Sequence, residues 1–137
     1  MSSIKIMALG GVRENGKSLY AVEVDEDIFV LDCGLVYPED ELLGIDVVIP
    51  DFTYLEENKD RIAGVFLTHG HADAVGALPY FLKNIQAPVF GTELTIALAK
   101  SSPYSLFSAC AIVALSPTVY AENSSKTMPS ATFDTII

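Results

Sequence analysis

The sequence is poor in the groups that most directly announce a function. It has no tryptophan, two cysteines and two histidines, and its eight basic residues face eighteen acidic ones for a net charge of −10. That sign excludes a protein that holds nucleic acid by a broad basic surface. It does not exclude a nuclease, because bound divalent metals can supply the positive charge that side chains lack. Cys33 and Cys110 are too far apart in sequence to form a metal-type pair, and no secretory start supports a disulfide between them. The opening MSSIKIMALGG lacks a signal-peptide core, and the apolar run from Leu106 to Leu115 is too short to span a bilayer. With Lys100 before it, that run imitates a signal peptide, but its internal position speaks against one. These absences predict a cytoplasmic chain with no membrane role.

What is present fits a folded domain of modest core. Half of the 137 residues are hydrophobic and 19% are charged. The composition changes abruptly near Lys100: all nine glycines lie before it, while the stretch from Ser101 onward has eight serines and three charged residues. The expected organisation is therefore a patterned unit over residues 1–100 and a divergent tail over 101–137. A frameshift or a mis-assigned gene end would produce such a tail, because natural domains seldom change composition so sharply without a linker.

Within the patterned unit, Ile4 to Leu9 reads as a strand ending at Gly10-Gly11. Leu19 to Val24 and Ile28 to Leu31 are rich in β-branched and aromatic residues and flank the turn Asp25-Glu26-Asp27, which predicts a hairpin. Cys33 to Pro50 reads as a long loop, after which Asp51 is placed to cap a short helix through Asn58. Ala63 to Leu67 is a buried strand by its apolar run. Ala74 to Ile85 carries apolar residues at helical spacing. Pro88 to Phe90 is a short strand, and Thr92 to Lys100 a helix capped by Gly91 or Thr92. The alternation of strands and helices predicts an α/β architecture.

Gly11 to Ser18 spells a phosphate-loop motif, GVRENGKS. The motif works only where a helix begins at its lysine and turns its N-terminus to the phosphates. Here the alternation from Ser18 to Val24 argues for a strand. The fourteen residues from Lys17 to Asp32 leave no room for a helix and a crossover. Nucleotide hydrolysis is rejected.

The chain's two histidines, His69 and His71, stand one residue apart after a buried strand. Side chains at i and i+2 of an extended loop project to one side, so both imidazoles can reach one ion, and Asp73 continues the alternation with an oxygen. The end of a strand just before a helix favours such sites in α/β proteins.

The run LTHGHADAVGALPY from Leu67 to Tyr80 closely resembles the metal-binding loop H-x-H-x-D-H of metallo-β-lactamase-fold nucleases. Gly10 to Lys17, Phe29 to Gly34, Leu43 to Asp46 and Ile49 to Asp51 are similar to stretches of the ribonuclease J family in particular, which accounts for the false phosphate loop. The resemblance covers about Ile4 to Lys100. It implies part of a metallo-β-lactamase αβ/βα sandwich, namely the first sheet and its helices, followed by the atypical tail. It also implies a two-metal hydrolase of RNA phosphodiester bonds, acting in mRNA decay and rRNA processing, with zinc, or manganese as the alternative. In that scheme His69 and His71 hold the first ion, and Asp73 and the next residue hold the second. Asp32 and Asp73 count among the catalytic groups, with Asp32 orienting the metal loop.

The chain departs from the pattern at Ala74, where the family carries histidine. Alanine offers no donor, so the second ion loses a protein ligand. The family's later histidines and bridging aspartate have no counterpart either, since no further histidine occurs. The departure resembles the degenerate second ribonuclease J paralogue of Gram-positive bacteria, which implies a weakly active partner of a competent paralogue. Three readings follow: a ribonuclease J-type chain inactive by itself, a non-catalytic assembly subunit, or another hydrolase of the fold acting on a thioester or lactam.

Overall fold

The computed structural model describes residues 3–38 and 44–101, and the backbone of Ile112–Leu115. Its first strand, β1 (Ile4–Gly10), pairs antiparallel with β2 (Leu19–Val24), and β2 pairs antiparallel with β3 (Asp27–Leu31). The expected hairpin forms around Asp25, which takes a φ of 52° in the tight turn. Gly11 to Ser18 is a loop, and Lys17 has a left-handed φ of 51°, so no helix starts there. The chain then runs through a long connection, where Val36 and Val48 form an isolated antiparallel bridge. Residues 39–43 of that connection, including Leu43 of the family-like stretch, lie outside the described residues.

Helix α1 (Thr53–Glu57) follows, and a short 3-10 helix, Lys59–Arg61. The N-cap is Phe52 rather than the expected Asp51, and the helix ends at Glu57 rather than Asn58; Asp51, one residue before the cap, accepts the Thr53 N–H at 2.9 Å and its hydroxyl at 2.6 Å. Strand β4 (Ile62–Phe66) lies parallel to β3, and β5 (Val89–Thr92) parallel to β4. The helix expected from Ala74 to Ile85 is two helices, α2 (Ala72–Val75) and α3 (Leu78–Asn84), broken at Gly76-Ala77. The Ala77 N–H leaves the helical ladder to bond the Cys33 carbonyl at 2.9 Å, which sets the break. Helix α4 (Glu93–Ser101) is capped by Thr92, whose hydroxyl accepts the Thr95 N–H at 3.3 Å.

Part of the apolar run in the tail, to which the sequence assigns no element, is a strand: β6 (Ile112–Leu115) pairs parallel with β5. The sheet therefore has six strands in the order β1-β2-β3-β4-β5-β6. The remainder of the tail, with Cys110, lies outside the described residues.

The core sits on one face of this sheet. Leu19, Ala21, Ile28, Val30, Val65 and Val89 are buried there beneath Leu55 of α1 and Leu78 and Phe81 of α3. The Phe52 and Phe81 rings meet edge to face at 5.5 Å.

At the margin of that face Glu23 ties the helices to the hairpin. It pairs with Arg61, accepts the Tyr54 hydroxyl at 3.1 Å and faces Lys5 at 3.8 Å. Arg61 also donates to the Glu26 carbonyl at 2.9 Å. The Arg61 bond, assisted by Tyr54, holds the Glu23 carboxyl below its ordinary value of 4.5. A carboxylate with a lowered folded pKa stabilises the fold above its unfolded value and loses that contribution as pH falls through the folded one. Acid unfolding followed by circular dichroism should therefore begin below pH 4.5 and sharpen there. In Glu23→Gln, stability should be lower at neutral pH and should fall less steeply as the pH drops below 4.5. Equal slopes in both proteins would show that the Glu23–Arg61 pair contributes nothing.

Candidate metal centre

The candidate ligands stand where β4 ends and α2 begins. Leu67 completes the strand by donating its N–H to the Phe90 carbonyl at 2.8 Å, and the chain then turns out of the sheet. One ligand atom from each of His69, His71 and Asp73 lies within 4.8 Å of the others. His69 Nε2 is 3.4 Å from Asp73 Oδ1, and the two imidazole rings meet edge to face at 4.9 Å. All three residues keep contact with solvent. Asp73, which the family resemblance gives to a second ion, thus stands beside the histidines around one point.

Backbone contacts lock this loop onto the segment after β3. Cys33 donates to the Ala74 carbonyl at 2.7 Å, Leu35 to the Ala72 carbonyl at 2.9 Å and Ser18 to the Asp73 carbonyl at 3.1 Å. Gly34 passes directly beneath. A Cβ there would fall 1.6 Å from the Asp73 carbonyl oxygen. The sequence offers Gly34 as part of a family-like stretch, but this close approach is visible only in three dimensions. Gly70 is packed less tightly, against a side chain: a Cβ there would meet Leu98 of α4 at 2.6 Å.

Asp32 lies behind the loop, 8% exposed, with a left-handed φ of 57°. Its N–H bonds the Phe66 carbonyl at 2.9 Å, which fixes the residue to the end of β4. Its carboxylate accepts the Thr68 N–H at 2.8 Å and the Thr68 hydroxyl at 3.0 and 2.8 Å. That hydroxyl is in turn 2.8 Å from His69 Nδ1. Asp32 is thus joined to His69 through Thr68, a residue to which the sequence assigns no role of its own. The neighbouring Cys33 is fully buried, and burial, with the Asp32 charge adding to it, pushes its thiol well above the usual range. Cys33 packs; it is not a nucleophile.

The three ligand atoms suit a single ion. Donors about 2.0–2.1 Å from a tetrahedral zinc lie roughly 3.3 Å apart, close to the 3.4 Å between His69 Nε2 and Asp73 Oδ1. Ala74 is fully buried and has no donor atom. On the Asp73 side the loop opens onto a cleft lined by Asn15, Gly16, Leu35, Val36, Tyr37 and Ala72.

The profile of the Metallo-beta-lactamase superfamily matches residues 12–113. Ribonuclease J 2 of Streptococcus pyogenes serotype M3 is 61% identical over 100 residues, which is 73% of this chain and 18% of that protein. Ribonuclease J 2 of Staphylococcus aureus (strain NCTC 8325 / PS 47) is 58% identical over 99 residues, 72% of this chain and 18% of that protein. The chain thus spans just under a fifth of the length of these relatives. A solved diphosphatase of the PhnP family superposes with a TM-score of 0.47 at 14% identity, over 85% of this chain and 51% of that one. Among the described residues no helix is long and apolar enough to cross a membrane. The chain belongs to the metallo-beta-lactamase superfamily, in its ribonuclease J branch.

Proposed function

We propose that this chain carries one half of the metal centre of a ribonuclease J-type RNA phosphodiester hydrolase and is inactive when it stands alone. The observation that carries the proposal is the convergence of His69, His71 and Asp73 at the end of β4, braced from behind by Asp32. In this reading His69 and His71 offer nitrogens and Asp73 a carboxylate oxygen to one divalent ion, zinc in preference to manganese. Such an ion supplies Lewis-acid stabilisation of charge at a reacting phosphate. Asp32 does not reach the ion; it holds the loop that does. RNA is the substrate of the complete centre, and the cytoplasm is the compartment in which it is met. Residues 1–100 hold the family's motifs, while 101–137 form a divergent tail that still lends the strand β6 to the sheet.

A second reading is favoured by the buried, donor-free Ala74. In it the chain is a non-catalytic subunit that assembles with a competent ribonuclease J paralogue. Both readings predict little turnover by the chain alone. Two-metal hydrolysis needs ions about 3.5–4 Å apart that clamp the attacking and leaving oxygens. With two histidines in all and a net charge of −10, this chain supplies neither the second ligand set nor an RNA-binding surface.

The test combines zinc titration with a metal-supplemented assay on a 5′-monophosphorylated RNA, using wild type, Ala74→His and His69→Ala. Wild type should bind one equivalent of zinc, and His69→Ala should bind at least about 10-fold more weakly. None of the three should turn over RNA, because Ala74→His returns one ligand and leaves the bridging acid and the distal histidines missing. Zinc binding unaffected by His69→Ala sinks the metal assignment. Turnover by wild type or Ala74→His above the His69→Ala control sinks the claim of inactivity.

A further inference from the structure

We infer that the Thr68 hydroxyl fixes the proton of His69 on Nδ1 and so leaves Nε2 bare to bind a metal, making Thr68 a positioning residue of the site. The inference rests on the metal reading above for its consequence, but its cause lies in the apo network. The Thr68 oxygen has three close partners: both carboxylate oxygens of Asp32, at 3.0 and 2.8 Å, and His69 Nδ1, at 2.8 Å. A hydroxyl has one proton and an ionised carboxylate has none to give. The proton must therefore go to Asp32, since otherwise two oxygens would face each other at 2.8 Å with no hydrogen between them. Having given its proton, the Thr68 oxygen can only accept from the histidine. Nδ1 then carries N–H, and the neutral ring must have its lone pair on Nε2.

Nε2 is also the nitrogen that faces the ligand cluster, 3.4 Å from Asp73 Oδ1. Without the constraint, that carboxylate would favour the other tautomer, in which Nε2–H donates to Asp73 and has no lone pair for a metal. Thr68 opposes the local preference of Asp73. The backbone adds rigidity, because the Thr68 N–H also bonds Asp32 Oδ1 at 2.8 Å and holds the hydroxyl in place. The relay is a carboxylate–histidine pair with a hydroxyl inserted between its members.

Three variants of the full chain separate this role from mere packing. Thr68→Val keeps the shape and removes the hydroxyl, whereas Thr68→Ser keeps the hydroxyl and removes the methyl. Asp32→Ala removes both acceptors of the hydroxyl proton, which is then free to turn to Nδ1. Ring 15N shifts of metal-free protein, at a pH where the imidazole is neutral, should show the Nδ1–H form of His69 in wild type and Thr68→Ser. They should show the Nε2–H form in Thr68→Val and Asp32→Ala. Zinc affinity should fall about 10-fold or more in the latter two and stay within about 3-fold in Thr68→Ser. An unchanged tautomer in whichever of Thr68→Val and Asp32→Ala folds, or wild-type zinc affinity in a variant whose tautomer has switched, overturns the inference. If wild type shows the predicted tautomer but binds no zinc, the metal reading fails and the assignment of the proton by Thr68 stands.

Discussion

Gly34→Ala should abolish zinc binding and lower the melting temperature together. The methyl group would sit 1.6 Å from the Asp73 carbonyl oxygen, 2.2 Å from its carbon and 2.9 Å from the Ser18 nitrogen. All three are backbone atoms, so no rotamer change relieves the clash, and the metal loop or the segment 33–35 must move away by more than an ångström. Either movement breaks the bonds Cys33 N to Ala74 O, Leu35 N to Ala72 O and Ser18 N to Asp73 O. Each is worth about 1 kcal/mol net and more if its groups remain buried and unpaired. Their combined loss is a large fraction of the roughly 5–15 kcal/mol that stabilises a typical domain. Asp73 is a candidate ligand, so the same displacement carries its carboxylate away from His69. The measurements are thermal unfolding and zinc titration of the same protein. A melting temperature within about 2 °C of wild type, or zinc affinity within a factor of about 3, would show that the loop yields at little cost.

Much of this arrangement is legible in the sequence, and the parts that are not share a cause. The hairpin of β2 and β3 and the parallel strand β4 announce themselves through local β-branched and aromatic runs. The histidine loop is legible because its ligands are close in sequence and alternate in an extended segment. Asp32 was expected to act behind the loop through family likeness alone, since it is 36 residues from its partner Thr68. Its left-handed backbone suits aspartate better than most residues, but no pattern marks it beforehand. The split between α2 and α3 is hidden because Val75, Leu78, Phe81 and Ile85 keep helical spacing straight through Gly76. What stops the helix is a long-range bond from Ala77 to Cys33. The strand β6 is missed for a similar reason. Four apolar residues in a serine-rich stretch carry no decisive period, and only the free edge of β5 makes them a strand. Local pattern thus finds the elements, while tertiary hydrogen bonds decide where they stop and which polar residues they bring together.

At micromolar concentrations the isolated chain should associate through the face of the sheet that its helices leave open. The register places Ile4 and Ile6 of β1, Val22 of β2, Phe29 and Leu31 of β3, Phe66 of β4 and Phe90 of β5 on that side. These residues are built into a surface rather than scattered. Phe66 stacks on Phe90 at 4.7 Å, Phe29 meets Phe66 at 6.1 Å, and the Phe90 ring lies over Gly64, where a Cβ would meet it at 2.6 Å. The opposite face is buried beneath α1 and α3, while here Ile4 is 68% exposed, Ile6 71% and Leu31 37%, and Val22, Phe29, Phe66 and Phe90 are half-buried. Parallel strands are normally covered on both faces, and contiguous apolar patches beyond a few hundred Å² mark association sites. Burial of what these side chains still expose, at about 25 cal/mol per Å², is the driving force, and the net charge of −10 opposes it. Light scattering should therefore give a mass at least twice that of the 14.7 kDa chain. Leu31→Lys with Phe66→Lys should return it to the monomer, with the far-ultraviolet spectrum unchanged, because both side chains point away from the core. Binding of a hydrophobic dye should fall in the same variant. A monodisperse wild-type monomer would mean that this face is covered within the chain itself. In that case the two lysine substitutions should unfold the protein instead of dissociating it.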